Sequence, residues 1–161
     1  MAIREIRLRE DEILRKKSKE VINFDEKLHI LLDDLYDTMV KHNGVGLAAP
    51  QVGILKRAVV IDISDADKKR KGKTPDIGKI ELINPEIIEE SGEQTDNEGC
   101  LSFPDVFGTV SRPYKVTVKA QDRNGKWFKL TGEGLLARAI CHEVDHLDGH
   151  VFTEKVIEYA N

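Results

Sequence analysis

The sequence predicts one α+β domain spanning residues 1–161, in which antiparallel sheets pack around a C-terminal helix and further helices lie near the N-terminus. Three observations support this fold class. Apolar residues recur at helical spacing towards both ends of the chain, and β-branched runs of strand length fill its middle. Strands and helices do not alternate in the manner of a parallel sheet. With 161 residues and 40% apolar content, the chain is long enough to bury a single core.

Two amphipathic helices are predicted near the N-terminus. The first covers residues 11–21, where helical intervals separate Ile13, Leu14, Lys17 and Val21. The second has Asp25 as its N-cap and Asn43-Gly44 as its stop. Its apolar stripe consists of Leu28, Leu31, Leu32, Leu35 and Met39. Its opposite, polar face consists of Asp33, Asp34, Asp37 and Lys41. We expect the stripe to belong to the core.

The middle of the chain contains the predicted strands. AVVIDIS, residues 58–64, and IELINPEII, residues 80–88, are rich in β-branched residues. Residues 115–130 follow as a hairpin whose turn falls at Asn124-Gly125, because Asn-Gly is the preferred dipeptide of a two-residue hairpin loop.

Composition excludes several classes of protein. A net charge of −4 and a pI of about 5.8 argue against a dedicated nucleic-acid binder. The basic run KKRKGK, residues 68–73, lies among Pro, Gly and mixed charges, which is typical of a solvated loop. No apolar run reaches the roughly 20 residues that a membrane helix needs, and the charged start is unlike a secretory signal. We therefore expect a cytoplasmic protein without a membrane segment.

A predicted helix near the C-terminus carries ICHEVDHLDG, residues 140–149. On a helical wheel His142 and His146 fall within about 60° of one another, together with Leu135 and Ala139. Glu143 lies between this face and an apolar stripe. The stripe consists of Leu136, Ile140, Val144 and Leu147. The remaining face consists of Arg138, Cys141, Asp145 and Asp148. Such a helix is mostly buried, and buried histidines and carboxylates need hydrogen bonds, ion partners or a metal.

The HExxH pattern favours a metal site, although the motif also occurs by chance in large sequence sets. Histidines at i and i+4 can bind one metal, and the intervening glutamate can reach a water on that metal as a general base. A catalytic site of this kind takes a third protein ligand. The candidates downstream are His150, Glu154 and Glu158, and none has a recognised third-ligand spacing. Upstream, Cys100 in TDNEGCLSFP would complete a tetrahedral site, but a small buried thiol is the alternative reading.

A third unusual stretch is GVGLAAPQVG, residues 44–53, in which Gln51 is the one polar side chain. Its glycines allow close approach of the backbone. A dinucleotide-binding loop is excluded, because the stretch follows a helix and lacks the downstream acidic partner.

GVGLAAPQ, EGCLS and HEVDH, in this order and at this chain length, closely resemble the peptide deformylase family, and the resemblance covers nearly the whole chain. It implies a metal-dependent hydrolase that removes the formyl group from the N-terminal formylmethionine of nascent polypeptides. By the same resemblance Cys100, His142 and His146 bind one divalent metal, natively Fe²⁺, with Zn²⁺, Ni²⁺ or Co²⁺ as replacements. The ligand set taken alone would suggest zinc.

The resemblance also implies roles for the remaining site residues. Glu143 is expected to act as the general base and then as the acid for the leaving amine. The Gln51 amide and the Leu101 backbone N–H would stabilise the developing oxyanion together with the metal. The formyl-peptide would pair as an added strand with Gly44, Val45 and Gly46. Selectivity for methionine would come from an apolar pocket to which Val45, Leu101, Ala139 and His142 contribute. We expect a monomer that associates transiently with the ribosome.

Departures from the family pattern qualify these expectations. Cys141 stands where Gln is frequent, and its wheel position, on a different face from His142, excludes it as a ligand of the same metal. DVFGTV follows LSFP and lacks an arginine that some members carry there. The long basic C-terminal helix of some relatives is also absent, so we do not expect ribosome docking through that element. Asp145 is expected to be structural, with Arg112 or Arg138 as its partner.

Two other functions compete with deformylation. A metallohydrolase with the same catalytic set could act on another small N-acyl amine. A degenerate, non-enzymatic metal binder would be expected to lack Glu143 or Gln51, and both are present. A structural zinc site is disfavoured, because such sites are closed by four protein ligands and three are apparent here.

Overall fold

The computed structural model describes residues 2–64 and 78–160, so the predicted solvated loop at 68–73 lies outside the described residues. Two α-helices lie entirely within these ranges: α1 (Glu26–Lys41) and α2 (Leu135–Leu147). The strands are β1 (Gly46–Ala48), β2 (Ala58–Ile61), β3 (Ile80–Ser91), β4 (Gln94–Cys100), β5 (Phe103–Arg112), β6 (Lys115–Gln121), β7 (Trp127–Glu133) and β8 (Val156–Tyr159). Short 3₁₀ turns cover Glu12–Arg15, Ala49–Val52 and Phe152–Lys155.

The strands form two antiparallel sheets, which confirms the predicted fold class. A five-stranded sheet has the order β1-β2-β3-β6-β7, and a three-stranded sheet has the order β4-β5-β8. Successive residues of β2 face opposite sides of the larger sheet: Val59 and Ile61 belong to the core cluster that contains α2, whereas Ala58 and Val60 belong to the cluster that contains α1. The edge of this sheet at β1 and β2 therefore lies between the two helices.

Helix α1 forms where its pattern predicts it. The Asp25 carboxylate accepts a hydrogen bond from the Leu28 N–H at 3.1 Å, and the predicted leucine stripe is buried. The placement of Asp34 on the polar face was wrong. This residue is only 3% exposed, because the N-terminal segment crosses it and both the Ala2 N–H and the Arg4 guanidinium donate to its carboxylate.

The helix predicted for residues 11–21 is also wrong beyond a single turn, Glu12–Arg15. The chain that follows is extended, since its amide groups bond to distant elements instead of to their own preceding turn. The Ser18 N–H donates to the Leu147 carbonyl at 2.8 Å, and the Lys19 N–H donates to the Leu55 carbonyl at 3.0 Å. Contacts with the rest of the molecule have overridden a marginal helical pattern.

The strand predictions hold with adjusted ends. The β6–β7 hairpin turns at Asn124-Gly125, and Gly125 has a φ of 85° there. Strand β2 ends at Ile61, three residues before the predicted limit, where the Asp62 side chain accepts a hydrogen bond from the Ser64 N–H. The short strands β1 and β8 and the β4–β5 hairpin were not predicted. No helix in the described part of the chain has the length and apolar content needed to cross a bilayer.

Candidate metal-binding active site

Helix α2 and the end of strand β4 bring three potential metal ligands together. His142 and His146 are one helical turn apart, and their Nε2 atoms lie 3.2 Å from each other. The Cys100 Sγ lies 3.4 Å from the His146 Nε2. All three donor atoms lie within 4.8 Å of one another. His150 and Glu154, two of the downstream alternatives, instead contact each other at 3.3 Å on the surface.

Two of the three separations between these donors fit a tetrahedral metal ion. Metal–nitrogen bonds of about 2.0–2.1 Å and a metal–sulfur bond of about 2.3 Å give tetrahedral edges of roughly 3.3 Å between nitrogens and roughly 3.5 Å between nitrogen and sulfur. The observed separations of 3.2 and 3.4 Å agree with both values to within about 0.2 Å. Two imidazoles and one thiolate also suit zinc and the late first-row metals.

Glu98 is a buried carboxylate behind the donor group, and the sequence reasoning gave it no role. Its Oε1 lies 2.5 Å from the His142 Nδ1, and Arg112 and Arg138 each donate to it at 2.6 Å. Burial opposes ionisation, but the hydrogen bonds from His142 and Arg112 outweigh it and hold the pKa of Glu98 well below its ordinary value. Because an ionised Glu98 accepts the Nδ1 proton, the Nε2 lone pair of His142 faces the donor group. The sequence signal that could have indicated Glu98 is its position two residues before Cys100.

The structure also defines the surroundings of Asp145 and Cys141 on α2. Asp145 accepts a hydrogen bond from Arg112 at 2.7 Å, whereas Arg138 bonds to Glu98, so Arg112 is the partner that the sequence left undecided. Cys141 is buried, and burial raises the pKa of its thiol to about 11. Cys141 is absent from the metal-binding group found among the described residues, which agrees with its place on the wheel.

Glu143 lies beside the donor group with a carboxylate that is 4% exposed. Burial raises the pKa of Glu143 to about 7. Its Oε1 has no hydrogen-bond partner among residues 2–64 and 78–160. Gly46 in β1 passes over the other oxygen, since a Cβ added there would lie 2.6 Å from the Glu143 Oε2. This contact explains why a glycine occupies position 46.

Gln51 reaches the same site from the 3₁₀ turn Ala49–Val52. Its Oε1 accepts a hydrogen bond from the Ala48 N–H at 3.0 Å. Its Nε2 lies 3.4 Å from the Cys100 Sγ and 3.1 Å from the Ser102 Oγ. The amide is 1% exposed, so an apolar loop delivers one buried donor to the ligand thiol.

A cleft of about 970 Å³ opens onto these residues. The five residues expected to bind substrate all line it: Gly44, Val45, Gly46, Leu101 and Ala139. Among the strands of residues 2–64 and 78–160, β1 pairs with β2 alone at the edge of its sheet, so an extended chain can add beside it. The N-terminal residues Ile3, Arg4 and Ile6 also line the cleft, and no sequence signal had indicated them.

Comparisons with known proteins agree with the geometry of the site. The family model for polypeptide deformylase matches residues 3–161. A peptide deformylase of Caldicellulosiruptor bescii is 60% identical over 161 residues, which cover all of this chain and 90% of that protein. A crystal structure of a peptide deformylase from Legionella pneumophila matches with a TM-score of 0.86 and 49% identity, over 96% of this chain and 86% of that one.

A crystal structure of the Thermotoga maritima peptide deformylase matches with a TM-score of 0.87 and 37% identity, over 96% of this chain and 97% of that one. A match over nearly the whole chain, at this level of identity, shows the family and the fold. The chain belongs to the polypeptide deformylase family, the metal-dependent hydrolases that remove the N-formyl group from nascent polypeptides and release formate.

Proposed function

We propose that Cys100, His142 and His146 hold the catalytic metal of this deformylase. The near-tetrahedral spacing of their donor atoms carries the proposal, and the hydrogen bond between Glu98 and the His142 Nδ1 supports it. When bound, a divalent cation supplies Lewis-acid chemistry: it lowers the pKa of water and polarises the formyl carbonyl. Residues 1–161 form one catalytic domain in this proposal.

Glu143 serves as the acid–base residue. It takes a proton from the water whose oxygen bonds to the formyl carbon, and it delivers that proton to the amine nitrogen as the C–N bond breaks. Burial raises the pKa of Glu143 above its ordinary value of 4.5, a direction that suits a carboxylate that must accept and return a proton. The Oε1 atom, unpartnered among the described residues, is available for this exchange.

The Gln51 amide and the Leu101 backbone N–H stabilise the negative charge that develops on the formyl oxygen. Gln51 is suited to this role because its donor is buried beside Cys100, where water does not compete for it. Leu101 directly follows Cys100 along the chain, so its N–H and the thiolate come from one turn.

The formyl-peptide lies extended beside β1, with backbone pairing to Gly44, Val45 and Gly46. The methionine side chain enters the cleft against Val45, Leu101, Ala139 and His142. Support comes from the free edge of β1 and from the position of all these residues along one cleft. Backbone pairing reads little sequence, which suits an enzyme that acts on many nascent chains.

The test is formate release from formyl-Met-Ala-Ser under anaerobic conditions by the wild type, Glu143→Ala and His146→Ala. We expect activity in the wild type, a loss of several orders of magnitude in Glu143→Ala with metal retained, and loss of metal in His146→Ala. His150→Ala is the matched control, because this histidine is exposed and outside the donor group. A fully metallated wild type that releases no formate contradicts the proposal.

Fe²⁺ is the native metal in this proposal, with Zn²⁺, Ni²⁺ or Co²⁺ as substitutes in purified protein. Elemental analysis of protein purified without oxygen tests the identity, and iron below a tenth of an equivalent beside full zinc would contradict it.

We further propose a cytoplasmic monomer that associates transiently with ribosomes. Sedimentation with and without ribosomes tests the monomeric state and the ribosome association, since a monomer of 18.2 kDa separates clearly from a dimer and from the ribosome.

A further inference from the structure

Ser102 is a buried hydroxyl that the mechanism has not used. It lies in the two-residue turn between β4 and β5, where Cys100 and Phe103 face each other across the hairpin. Its side chain is completely buried. The same short turn therefore presents the Cys100 thiol, the Leu101 N–H and the Ser102 hydroxyl.

The Gln51 side chain is held at both ends of its amide. The Ala48 N–H, which can only donate, lies 3.0 Å from one end and identifies that atom as the oxygen. The nitrogen at the other end has two N–H groups. It lies 3.1 Å from the Ser102 Oγ and 3.4 Å from the Cys100 Sγ. Ser102 thus accepts one N–H, and the Cys100 Sγ accepts the second.

This arrangement matters because the last torsion of a glutamine side chain is soft and has no sharp rotamer. A donor contributes to catalysis in proportion to how well it is oriented before the charge develops. Because the amide is planar, the Ala48 bond at its oxygen and the Ser102 bond at its nitrogen together fix the rotation about this torsion. Without the hydroxyl, a buried N–H would lack an acceptor, and the amide would turn to satisfy it.

We propose that Ser102 is a positioning residue that holds the second N–H of the Gln51 amide at the Cys100 Sγ, where this N–H can be shared with the reacting formyl oxygen. The inference rests on the oxyanion role proposed for Gln51. Ser102 itself touches neither substrate nor metal in this proposal; it acts through Gln51 alone.

The test is a double-mutant cycle on the metal-loaded enzyme with formyl-Met-Ala-Ser. Gln51→Met removes the donor and should lower kcat by roughly 10²–10³-fold, the usual loss for one oxyanion donor. Ser102→Ala removes one oxygen atom and should lower kcat by about tenfold while KM and metal content stay unchanged, because the donor is kept but misoriented. In the Gln51→Met background, Ser102→Ala should cause no further loss. Thermal unfolding of every variant checks the fold.

Ser18→Ala is the matched control, because Ser18 is also a buried serine and its Oγ has no partner in the described part of the chain. Its kcat should equal that of the wild type. An equal loss for Ser102→Ala with and without Gln51 would overturn the inference in favour of a structural role. A normal kcat for Ser102→Ala beside an impaired Gln51→Met would also overturn the inference. This result would leave the oxyanion role of Gln51 intact. A normal kcat for Gln51→Met would reject both assignments.

Discussion

Glu98 shows how much one residue outside the donor group can determine. Three cationic or polar groups converge on its carboxylate: the imidazole of His142 and the guanidinium groups of Arg112 and Arg138. Two buried arginines without an anion would be very unfavourable, so the carboxylate balances their charge as well as fixing the histidine tautomer. Arg112 then extends the network to Asp145, which Lys155 also contacts at 2.9 Å.

We expect Glu98→Gln to weaken metal binding by about 10–100-fold, the usual effect of removing a partner that orients a histidine ligand. The amide keeps the size of the side chain but loses the charge that holds the Nδ1 proton. Competition with a chelator for Zn²⁺ or Co²⁺ measures the affinity. Glu81→Gln is the control, because Glu81 also accepts from an arginine, Arg123, but lies outside the donor group. Equal affinities in wild type and Glu98→Gln would exclude an orienting role.

At the scale of elements, the N-terminal segment illustrates competition between local and distant partners. Residues 16–21 have a helical pattern but are extended, because amides such as those of Ser18 and Lys19 bond to residues far along the chain. The start of the segment lies across α1, where Asp34 accepts from the Ala2 N–H at 2.7 Å and from the Arg4 Nε at 2.9 Å. Since Ile3 and Ile6 line the cleft, this attachment also shapes the substrate site.

Asp34→Ala should lower the free energy of unfolding by about 1–2 kcal/mol, because two hydrogen bonds to a buried carboxylate are lost. Amide hydrogen exchange at residues 2–4 should become faster, since the segment is released from α1. Denaturant unfolding and exchange detected by mass spectrometry provide the two measurements. Asp37→Ala on the same helix is the control, because Asp37 is less buried than Asp34 and should change neither quantity. Unchanged exchange in Asp34→Ala would mean that other contacts hold the segment.

At the scale of the whole molecule, Arg123 joins three elements. It lies in the turn between β6 and β7 and donates to Asp33 of α1 at 2.8 Å and to Glu81 of β3 at 2.6 Å. The hydrogen bond from Arg123 is the largest cause that lowers the pKa of Asp33 below its ordinary value of 3.8. The pair therefore links a helix, a strand and a hairpin that are distant in sequence.

This pair should make stability depend on pH in the acid range. Because the pKa of Asp33 is lower in the folded state, the pair stabilises the fold above 3.8, and this contribution is lost as the pH falls through the folded value. The stability of Arg123→Gln should consequently fall less steeply than that of the wild type between about pH 5 and about pH 3. Thermal unfolding at several pH values measures the difference. Lys129→Gln is the control, because it removes one positive charge from an exposed position in β7 and should keep the wild-type dependence of stability on pH. The same pH dependence in all three proteins would contradict the prediction.

Much of the architecture was predictable because its signals are local. Helix α1, the β6–β7 hairpin and the HEVDH helix each depend on a periodicity or a turn dipeptide within one short segment. The family resemblance then joined Cys100 and Gln51 to the two histidines, which spacing alone had left open. Short strands such as β1 and β8 were not predicted, because their few residues carry no periodicity.

The sequence by itself determined the fold class, the family and the residue types available for chemistry, because backbone periodicity and short motifs are properties of neighbouring residues. Only the tertiary structure decided which buried polar groups meet. Glu98 is 44 positions from His142 and 40 from Arg138, Gln51 is 51 from Ser102, and Asp34 is 32 from Ala2. The physical reason is desolvation: once the chain folds, each buried polar group must find a partner among whatever residues packing has brought near it.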